Sequence, residues 1–280
     1  MAYNEEKSIE RCIQSVIDLV DEVIIVDSFS TDKTAEICIN LGATVIYQEF
    51  LGYKEQKNFA TWQASNDYII SLDADEALSA ELRNSILKEK NHFTFDGYLC
   101  SRIENYCGKW IYHTTLNSQR KLRLFNRRKG KYAGINPHDR FELDPCAKSG
   151  RLKGAILHWG YSTIEQHIDK INLFSSISAR EYFKLGKKAG FAKILLHPLW
   201  RFIHSYLVKT GFMQGYTGYI VSRNMAWYCF LKYSKLKKLT QEKTSKKVPS
   251  RDVQIASADW KQFTDSPGCK IKRLIRNSFI

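Results

Sequence analysis

The stretch Tyr68-Ile69-Ile70-Ser71-Leu72-Asp73-Ala74-Asp75 joins an apolar run to two carboxylates that lie one residue apart. The apolar part predicts a buried β-strand, and the aspartates follow where that strand gives way to a loop. Two carboxylates with this spacing can hold one hard divalent cation, directly or through its water molecules. Such a cation can bind a diphosphate and stabilise the charge of a departing nucleotide. A solvated acidic turn is the alternative for a lone Asp-x-Asp motif, so other parts of the sequence must decide.

The sequence before this stretch alternates between helical and strand patterns. Val23-Ile24-Ile25-Val26 is a β-branched run that ends at Asp27, and Ala43 to Tyr47 is the next predicted strand. Helical patterns cover residues 5–20, 33–41 and 54–64. This rhythm predicts an α/β fold with a mostly parallel sheet sandwiched by helices. Ligands of such sheets bind beyond the carboxyl ends of the strands, so Asp27 and Asp73 indicate a common crevice.

Charge divides the chain into an acidic front and a basic back. Residues 1–100 carry 8 Lys and Arg against 18 Asp and Glu, a net charge of −10. Residues 101–280 carry 35 against 11, a net charge of +24. The basic part predicts a phosphate-rich partner: a membrane surface, an anionic glycolipid or nucleic acid. Its basic residues are scattered along aromatic helices without a recognised nucleic-acid module, so we expect no nucleic-acid partner.

Cysteine usage and hydropathy favour a reducing compartment and no membrane span. The seven cysteines include no C-x-x-C pair, and their odd number argues against a complete disulfide framework. The most apolar stretch, residues 191–208, is interrupted by charged residues and by Pro198, so it is too polar to span a bilayer.

Beyond Thr163 the pattern becomes helical, and apolar and aromatic residues alternate with lysines. These helices carry Trp200, Tyr206 and Trp227, and seven lysines lie between positions 232 and 247. Basic helices with aromatic side chains can lie in a membrane interface, although a helical lid with a solvated face has the same pattern. We therefore predict three parts: a catalytic domain (1–160), a helical, membrane-associating extension (161–240) and a basic tail (241–280).

Four motifs, taken in order, resemble family 2 glycosyltransferases of the GT-A fold. They are Tyr3-Asn4-Glu5-Glu6, Ile25-Val26-Asp27-Ser28-Phe29-Ser30-Thr31-Asp32-Lys33-Thr34, Gln56-Lys57-Asn58-Phe59-Ala60 and Ser71-Leu72-Asp73-Ala74-Asp75-Glu76. Other segments resemble the branch of lipopolysaccharide-core β-glucosyltransferases. These are Lys121-Leu122-Arg123-Leu124-Phe125, Gly150-Arg151-Leu152-Lys153-Gly154 and Trp200-Arg201-Phe202. The similarity covers roughly residues 1–239.

The resemblance implies roles for individual residues. Asp73 and Asp75 match the pair that holds Mg²⁺ or Mn²⁺, and Asp139, which follows His138, matches a carboxylate that acts as general base. The branch has Glu at the position of Asp139, so this carboxylate is one methylene shorter. The residues implied to bind the nucleotide-sugar donor are Tyr3, Asn4, Asp27, Ser28, Lys57, Asn58 and Asp73.

The implied reaction moves a hexose, glucose in this branch, from a UDP-linked sugar to a lipopolysaccharide-core or other cell-surface glycan. The acceptor would be a glycolipid or glycan met at the inner face of the cytoplasmic membrane. A carboxylate would take the proton of the acceptor hydroxyl. Direct displacement at an α-linked donor would then invert the anomeric centre and give a β-linkage.

Two other functions stay open on the sequence. Sugar nucleotidyltransferases also use a nucleotide crevice and acidic metal ligands, but the Gly-rich phosphate loop expected of them is not seen near the N-terminus. A truncated paralogue without catalytic activity is the second alternative, because the strand that precedes Tyr3 in the family is missing from this sequence. An unpaired buried backbone group costs about 1–3 kcal/mol. We therefore expect the native protein to begin upstream with a Val/Ile-rich strand.

Overall fold

A computed structural model provides the structure and describes residues 1–116, 120–136 and 138–245. The helices are α1 (Ile9–Gln14), α2 (Thr34–Asn40), α3 (Tyr53–Gln63), α4 (Ala80–Lys90), α5 (Ile164–Lys184), α6 (Phe191–Ile203) and α7 (Gly215–Ser245). The strands are β1 (Ile24–Asp27), β2 (Thr44–Tyr47), β3 (Tyr68–Ile70), β4 (Glu76–Leu78), β5 (Gly97–Tyr106), β6 (Lys109–Ile111), β7 (Lys121–Asn126), β8 (Gly130–Ile135), β9 (His138–Leu143) and β10 (Ser149–Tyr161).

Three groups of strands form the β-structure of the described residues. β1 and β2 pair in parallel, with Ile24 opposite Thr44. The largest sheet has the order β3-β7-β5-β10-β4, with β6 paired to β5. In that sheet β5 and β10 are parallel, whereas β7 runs antiparallel to β3 and β5, and β4 antiparallel to β10. β8 and β9 form an antiparallel hairpin, with Gly130 opposite Leu143.

The predicted α/β fold is confirmed, but the prediction of a mostly parallel sheet is wrong. The regular alternation of strands and helices ends at β3, and the chain reaches β4, β6 and β7 through loops and turns. Short connections join antiparallel neighbours, because a parallel pair needs a long crossover. The sheet is therefore mixed.

The sheet is open at the position predicted for a strand before Tyr3. Among the described residues, β1 and β3 are not hydrogen-bonded to each other, and a cavity of about 380 Å³ lies beside both. Ala2 makes an isolated parallel bridge to Asp27, with Ala2 N donating to Val26 O at 2.8 Å. Apolar side chains in the cavity lining include Ile13, Val16, Ile25, Ile70 and Leu72. An upstream strand stays a prediction.

Helix α4 covers one face of the large sheet. It begins after Ser79, whose Oγ accepts a hydrogen bond from Leu82 N at 3.2 Å and so satisfies one of the free N–H groups of the first turn. Leu82 and Ile86 on its buried side pack against Tyr98 of β5 and other sheet residues in the main apolar core. This packing holds β5, β7 and β10 in place below the candidate site.

The helices predicted after Thr163 are present, and polar contacts join them. Thr163 Oγ1 accepts from Gln166 N at 3.1 Å and caps α5. Lys235 on α7 donates to Asn172 O and to Ser175 Oγ of α5, both at 2.8 Å. In the part of the chain that the structure describes, no helix is long and apolar enough to cross a membrane.

Contacts divide the chain into two compact units, Met1–Leu239 and Thr240–Ile280. The first unit contains both the predicted catalytic domain and most of the predicted helical extension. The boundary predicted at residue 160 stays a prediction. Most of the predicted basic tail, residues 246–280, lies outside the described residues.

Candidate active site

Lys57 brings the predicted metal-binding and general-base residues together. It lies on α3, and its Nζ is 3.1 Å from Asp73 Oδ1, three residues beyond β3, and 3.1 Å from Asp139 Oδ2 on β9. Burial opposes ionisation of Asp73, but Lys57 and Arg123 more than offset it and hold the pKa of Asp73 well below its usual range. Two carboxylates that are far apart in the sequence thus share one ammonium group.

Arg123 forms the buried base of this cluster. It extends from β7, and its Nη2 donates to Asp73 Oδ2 at 3.0 Å and to Glu76 Oε1 at 2.8 Å. The Arg123 and Glu76 side chains are 4% and 0% exposed. Glu76 also lies 3.5 Å from Arg102 of β5. Glu76 therefore neutralises the buried guanidinium, and Asp73 is held at the mouth of the site.

We expect Arg123→Met to lower the free energy of unfolding by about 3–5 kcal/mol, because it leaves the buried Glu76 carboxylate without its main partner. Chemical denaturation measures this difference. Arg128→Met is the matched control: Arg128 lies 2.8 Å from Asp67, but its side chain is 70% exposed. Such surface pairs contribute about 0–1 kcal/mol. Equal small losses in both variants would contradict a stabilising role of Arg123.

His158 and Glu104 orient Asp75, the second predicted metal ligand. His158 Nε2 on β10 is 3.2 Å from Asp75 Oδ2, and its Nδ1 is 2.7 Å from Glu104 Oε2 on β5. Burial alone would lower the pKa of His158, but its hydrogen bonds to the two carboxylates raise the pKa to about 9. Gly160 leaves room for this contact, because a Cβ there would collide with Glu104 and His158. The imidazolium fixes one oxygen of Asp75 and leaves the carboxylate 24% exposed toward solvent.

The predicted nucleotide-binding segments interlock into one loop structure. Asn4 has a left-handed backbone conformation (φ 53°). Its Oδ1 accepts from Thr31 N at 2.8 Å, and its N donates to Ser30 Oγ at 2.9 Å. Asp27 is fully buried, and both of its carboxylate oxygens accept from Ser30. Tyr3 is half-buried beside Asn4. The acid predicted to contact the base thus also closes the turn that shapes the loop.

Helix α3 connects this loop to the acidic cluster. Gln56 Nε2 donates to Ser28 Oγ at 3.1 Å, and the next residue, Lys57, binds both acids. Asn58 has a structural role: its Nδ2 donates to Tyr132 O at 2.9 Å, and its Oδ1 accepts from Tyr132 N at 2.8 Å. Donor binding by the Asn58 side chain would require these bonds to break.

The residues His138 and Asp139 start a strand, where the sequence predicted a loop over 134–139. β8 ends at Ile135 and β9 begins at His138, so the turn is shorter than predicted. His138 Nε2 lies 2.9 Å from Tyr228 Oη of α7, whereas Asp139 contacts Lys57. Adjacent residues of a strand point to opposite faces, so His138 contacts the helical part while Asp139 reaches the acidic cluster.

The residues present fit a divalent cation only together with oxygens from a substrate. In the described ranges, no group of three or more His, Cys, Asp or Glu side chains is arranged to hold a metal ion. However, Asp73 Oδ1 is buried without a hydrogen-bond partner, although Lys57 is at ion-pair distance. Asp75 is exposed on the cleft side and has one oxygen fixed by His158. Hard cations accept such carboxylates together with phosphate oxygens, so Asp73, Asp75 and a diphosphate form a suitable donor set.

Comparison with known proteins identifies the family. Residues 1–144 match the family described as Glycosyl transferase family 2. The chain belongs to glycosyltransferase family 2. An uncharacterized glycosyltransferase of Rickettsia bellii (strain RML369-C) is 35% identical over 251 residues, which cover 85% of this chain and 84% of that protein.

Two further similarities concern proteins with more specific names. The lipopolysaccharide core biosynthesis glycosyltransferase LpsC of Rhizobium meliloti (strain 1021) is 29% identical over 242 residues, 83% of this chain and 88% of LpsC. Glucosyl-3-phosphoglycerate synthase from Mycobacterium tuberculosis, solved with Mn²⁺ and UDP-glucose, is 26% identical with a TM-score of 0.31. That alignment covers 38% of this chain and 42% of the synthase. The resemblance to family 2 is confirmed.

Three residues of this family 2 glycosyltransferase escaped the sequence analysis as parts of the site: Arg123, His158 and Glu104. Arg123 had an exposed ion pair as an equally plausible role, and the other two were not singled out. The available signal was a charged or ionisable residue within an apolar strand, as at His158 in β10. Their partners could not be read from the sequence, since they lie on strands that are distant along the chain.

Proposed function

We propose that this family 2 glycosyltransferase is an inverting, metal-dependent hexosyltransferase. It transfers glucose from a UDP-linked donor to a lipopolysaccharide-core or other cell-surface glycan. The observation that carries the proposal is the contact of Lys57 with both Asp73 and Asp139, 3.1 Å from each. This contact joins the residues proposed for the diphosphate and for the acceptor hydroxyl. The similarity to LpsC over most of both chains supports the acceptor class.

The residues of the cluster have separate tasks in this proposal. A bound Mg²⁺ or Mn²⁺ supplies positive charge that stabilises the departing diphosphate. Asp75 and Asp73 hold the cation, His158 orients Asp75, and Arg123 keeps Asp73 ionised. Asp139 takes the proton from the acceptor hydroxyl, which attacks the anomeric carbon from the side opposite the leaving group. Inversion of the α-linked donor then gives a β-glycoside.

A panel of nucleotide sugars tests the reaction. The purified protein is incubated with UDP-, GDP- and dTDP-linked hexoses, with and without a lipopolysaccharide-core acceptor, and the released nucleotide is measured. We expect release from UDP-glucose that depends on the acceptor, and a β-linked product by NMR. Release from another nucleotide sugar would replace the donor, and an α-linked product would exclude inversion.

We also propose that the enzyme works at the inner face of the cytoplasmic membrane. Helix α6 is apolar on nearly all sides, yet only Ile194 is fully buried. Its exposed apolar residues, here named the α6 apolar face, are Phe191, Leu195, Leu196, Leu199 and Trp200, each 52–67% exposed. An apolar helix with an exposed face of this kind is typical of contact with a partner or a membrane interface.

The membrane proposal predicts salt-sensitive binding to anionic vesicles. The protein should sediment with them at low salt and dissociate as salt rises, because exposed charges are screened over about 8–10 Å at moderate ionic strength. Leu196→Gln with Trp200→Gln should weaken binding at least tenfold, since burying one such side chain stabilises by about 1.5–3 kcal/mol.

The matched control is Leu87→Gln with Trp62→Gln, which changes an exposed Leu on α4 and an exposed Trp on α3. This variant should bind vesicles like the unchanged protein. Absence of binding by the unchanged protein to anionic vesicles at low salt would refute the membrane proposal. Equal weakening in both double variants would refute the role of α6.

A further inference from the structure

A second cavity, lined by lysine and tyrosine side chains, lies in the helical part of the chain. Its volume is about 390 Å³, and it lies between the end of α5, the start of α6 and the middle of α7. The lining residues are Tyr182, Lys187, Lys188, Lys193, Tyr233 and Leu236. None of them belongs to the candidate active site, so this cavity has no role in the proposed reaction.

The chemistry of the lining suits an anion. Three of the six lining residues are lysines and none is acidic. Lys187 Nζ lies 4.4 Å from the ring centroid of Tyr182, and Lys232 Nζ lies 5.0 Å and 4.8 Å from the rings of Tyr182 and Tyr233. Ammonium and phenol groups both donate hydrogen bonds, so the cavity offers several donors together with positive charge. A phosphate group matches both features.

The α6 apolar face begins at the edge of this cavity. Phe191, the first residue of α6, is 67% exposed, and Lys237 Nζ lies 5.7 Å from its ring centroid. Lys193, which lines the cavity, lies only two residues further along the helix. The structure therefore presents a lysine-lined cavity and an exposed apolar helix face next to each other.

We propose that this cavity binds the phosphate of an anionic lipid headgroup while the α6 apolar face contacts the acyl chains. A phospholipid joins a phosphate to apolar chains, and only such a ligand uses both neighbouring features at once. Free phosphate would fill the cavity but leave Phe191 and the leucines of α6 in water. The inference rests on the proposed membrane association and adds the chemistry that the headgroup must have.

Vesicle binding by the full chain tests the inference. Phosphatidylcholine vesicles that contain phosphatidic acid are compared with vesicles that contain phosphatidylglycerol, at matched surface charge. The cavity variant is Lys187→Gln/Lys188→Gln/Lys193→Gln. The control variant, Lys109→Gln/Lys131→Gln/Lys153→Gln, removes the same charge from exposed lysines of β6, β8 and β10. Thermal unfolding and nucleotide release without vesicles verify that both variants are folded.

We expect the cavity variant to bind phosphatidic acid vesicles at least about tenfold more weakly than the control variant, because lysines close to an anionic surface contribute most to binding. The unchanged protein should also prefer phosphatidic acid, whose phosphate monoester carries more charge, over phosphatidylglycerol. Equal weakening in the two variants would overturn the cavity as a headgroup site, while the membrane proposal would stand.

Two other results would overturn the inference in different ways. If the unchanged protein bound none of the anionic vesicles, the membrane proposal itself would fail. If soluble glycerol 3-phosphate bound the unchanged protein in calorimetry and displaced no vesicles, the cavity would be a site for a free phosphate compound. Displacement of the vesicles by glycerol 3-phosphate, lost in the cavity variant, would support a headgroup phosphate in this cavity.

Discussion

Asp75→Ala is expected to lower sugar transfer by at least about 10³-fold, more than the 10–100-fold loss typical of an outer-shell partner. In the proposed site Asp75 is the carboxylate most open to a cation, since His158 fixes one oxygen and solvent reaches the side chain. The fold should survive, because His158 retains its 2.7 Å contact with Glu104. The measurement is nucleotide release at saturating donor, together with thermal unfolding.

Two variants place this result on a scale. Glu104→Gln keeps Asp75 but loosens His158, so we expect the smaller loss of about 10–100-fold. Asp144→Asn changes an exposed aspartate in the turn after β9 and should leave transfer unchanged. Asp73→Ala should act like Asp75→Ala on transfer. Turnover of the unchanged protein in excess chelator, at the rate seen with Mn²⁺ or Mg²⁺, would contradict the metal site.

Asp139→Asn is expected to lower kcat by about 10²–10⁴, the usual range for a lost general base. The substitution preserves the shape of a side chain that is only 4% exposed, and it removes the charge that Lys57 contacts at 3.1 Å. Asp139 Oδ2 is buried without a hydrogen-bond partner, so it can accept a proton from an incoming hydroxyl. Donor affinity, measured by nucleotide titration, should change little because the base faces the acceptor.

Glu142→Gln is the control for Asp139. Glu142 lies on the same strand, β9, but it is exposed and pairs with Arg140 at 2.7 Å. We expect this variant to keep the kcat of the unchanged protein. A near-normal kcat for Asp139→Asn with a large loss for Glu142→Gln would move the base to Glu142.

Local patterns were sufficient to predict most elements of the first half of the chain. The apolar runs before Asp27 and Asp73 are strands β1 and β3, and the helical pattern over 54–64 is α3 to within one residue at each end. Gly42, with φ 80°, follows α2 where the pattern ended it. These signals succeed because burial on one side of a strand or helix imposes its own spacing on the neighbouring residues.

Sheet topology was beyond these patterns. The alternation of helices and strands over residues 5–72 indicated parallel pairing, but β7 inserts between β3 and β5 and runs antiparallel to both. Strand order depends on contacts between segments that are distant along the chain, and spacing within one segment does not encode them. The same limit applies to Arg123, whose partners follow from the position of β7 beside β3.

The sequence by itself determined the α/β class, the acidic motif after β3, and the family through its ordered motifs. Only the tertiary structure decided that Lys57 links Asp73 to Asp139, that His158 and Glu104 support Asp75, and that Arg123 is buried beneath them. The reason is physical: a buried charge is stable only beside an opposite charge, and chain folding chooses that partner from any distance in sequence.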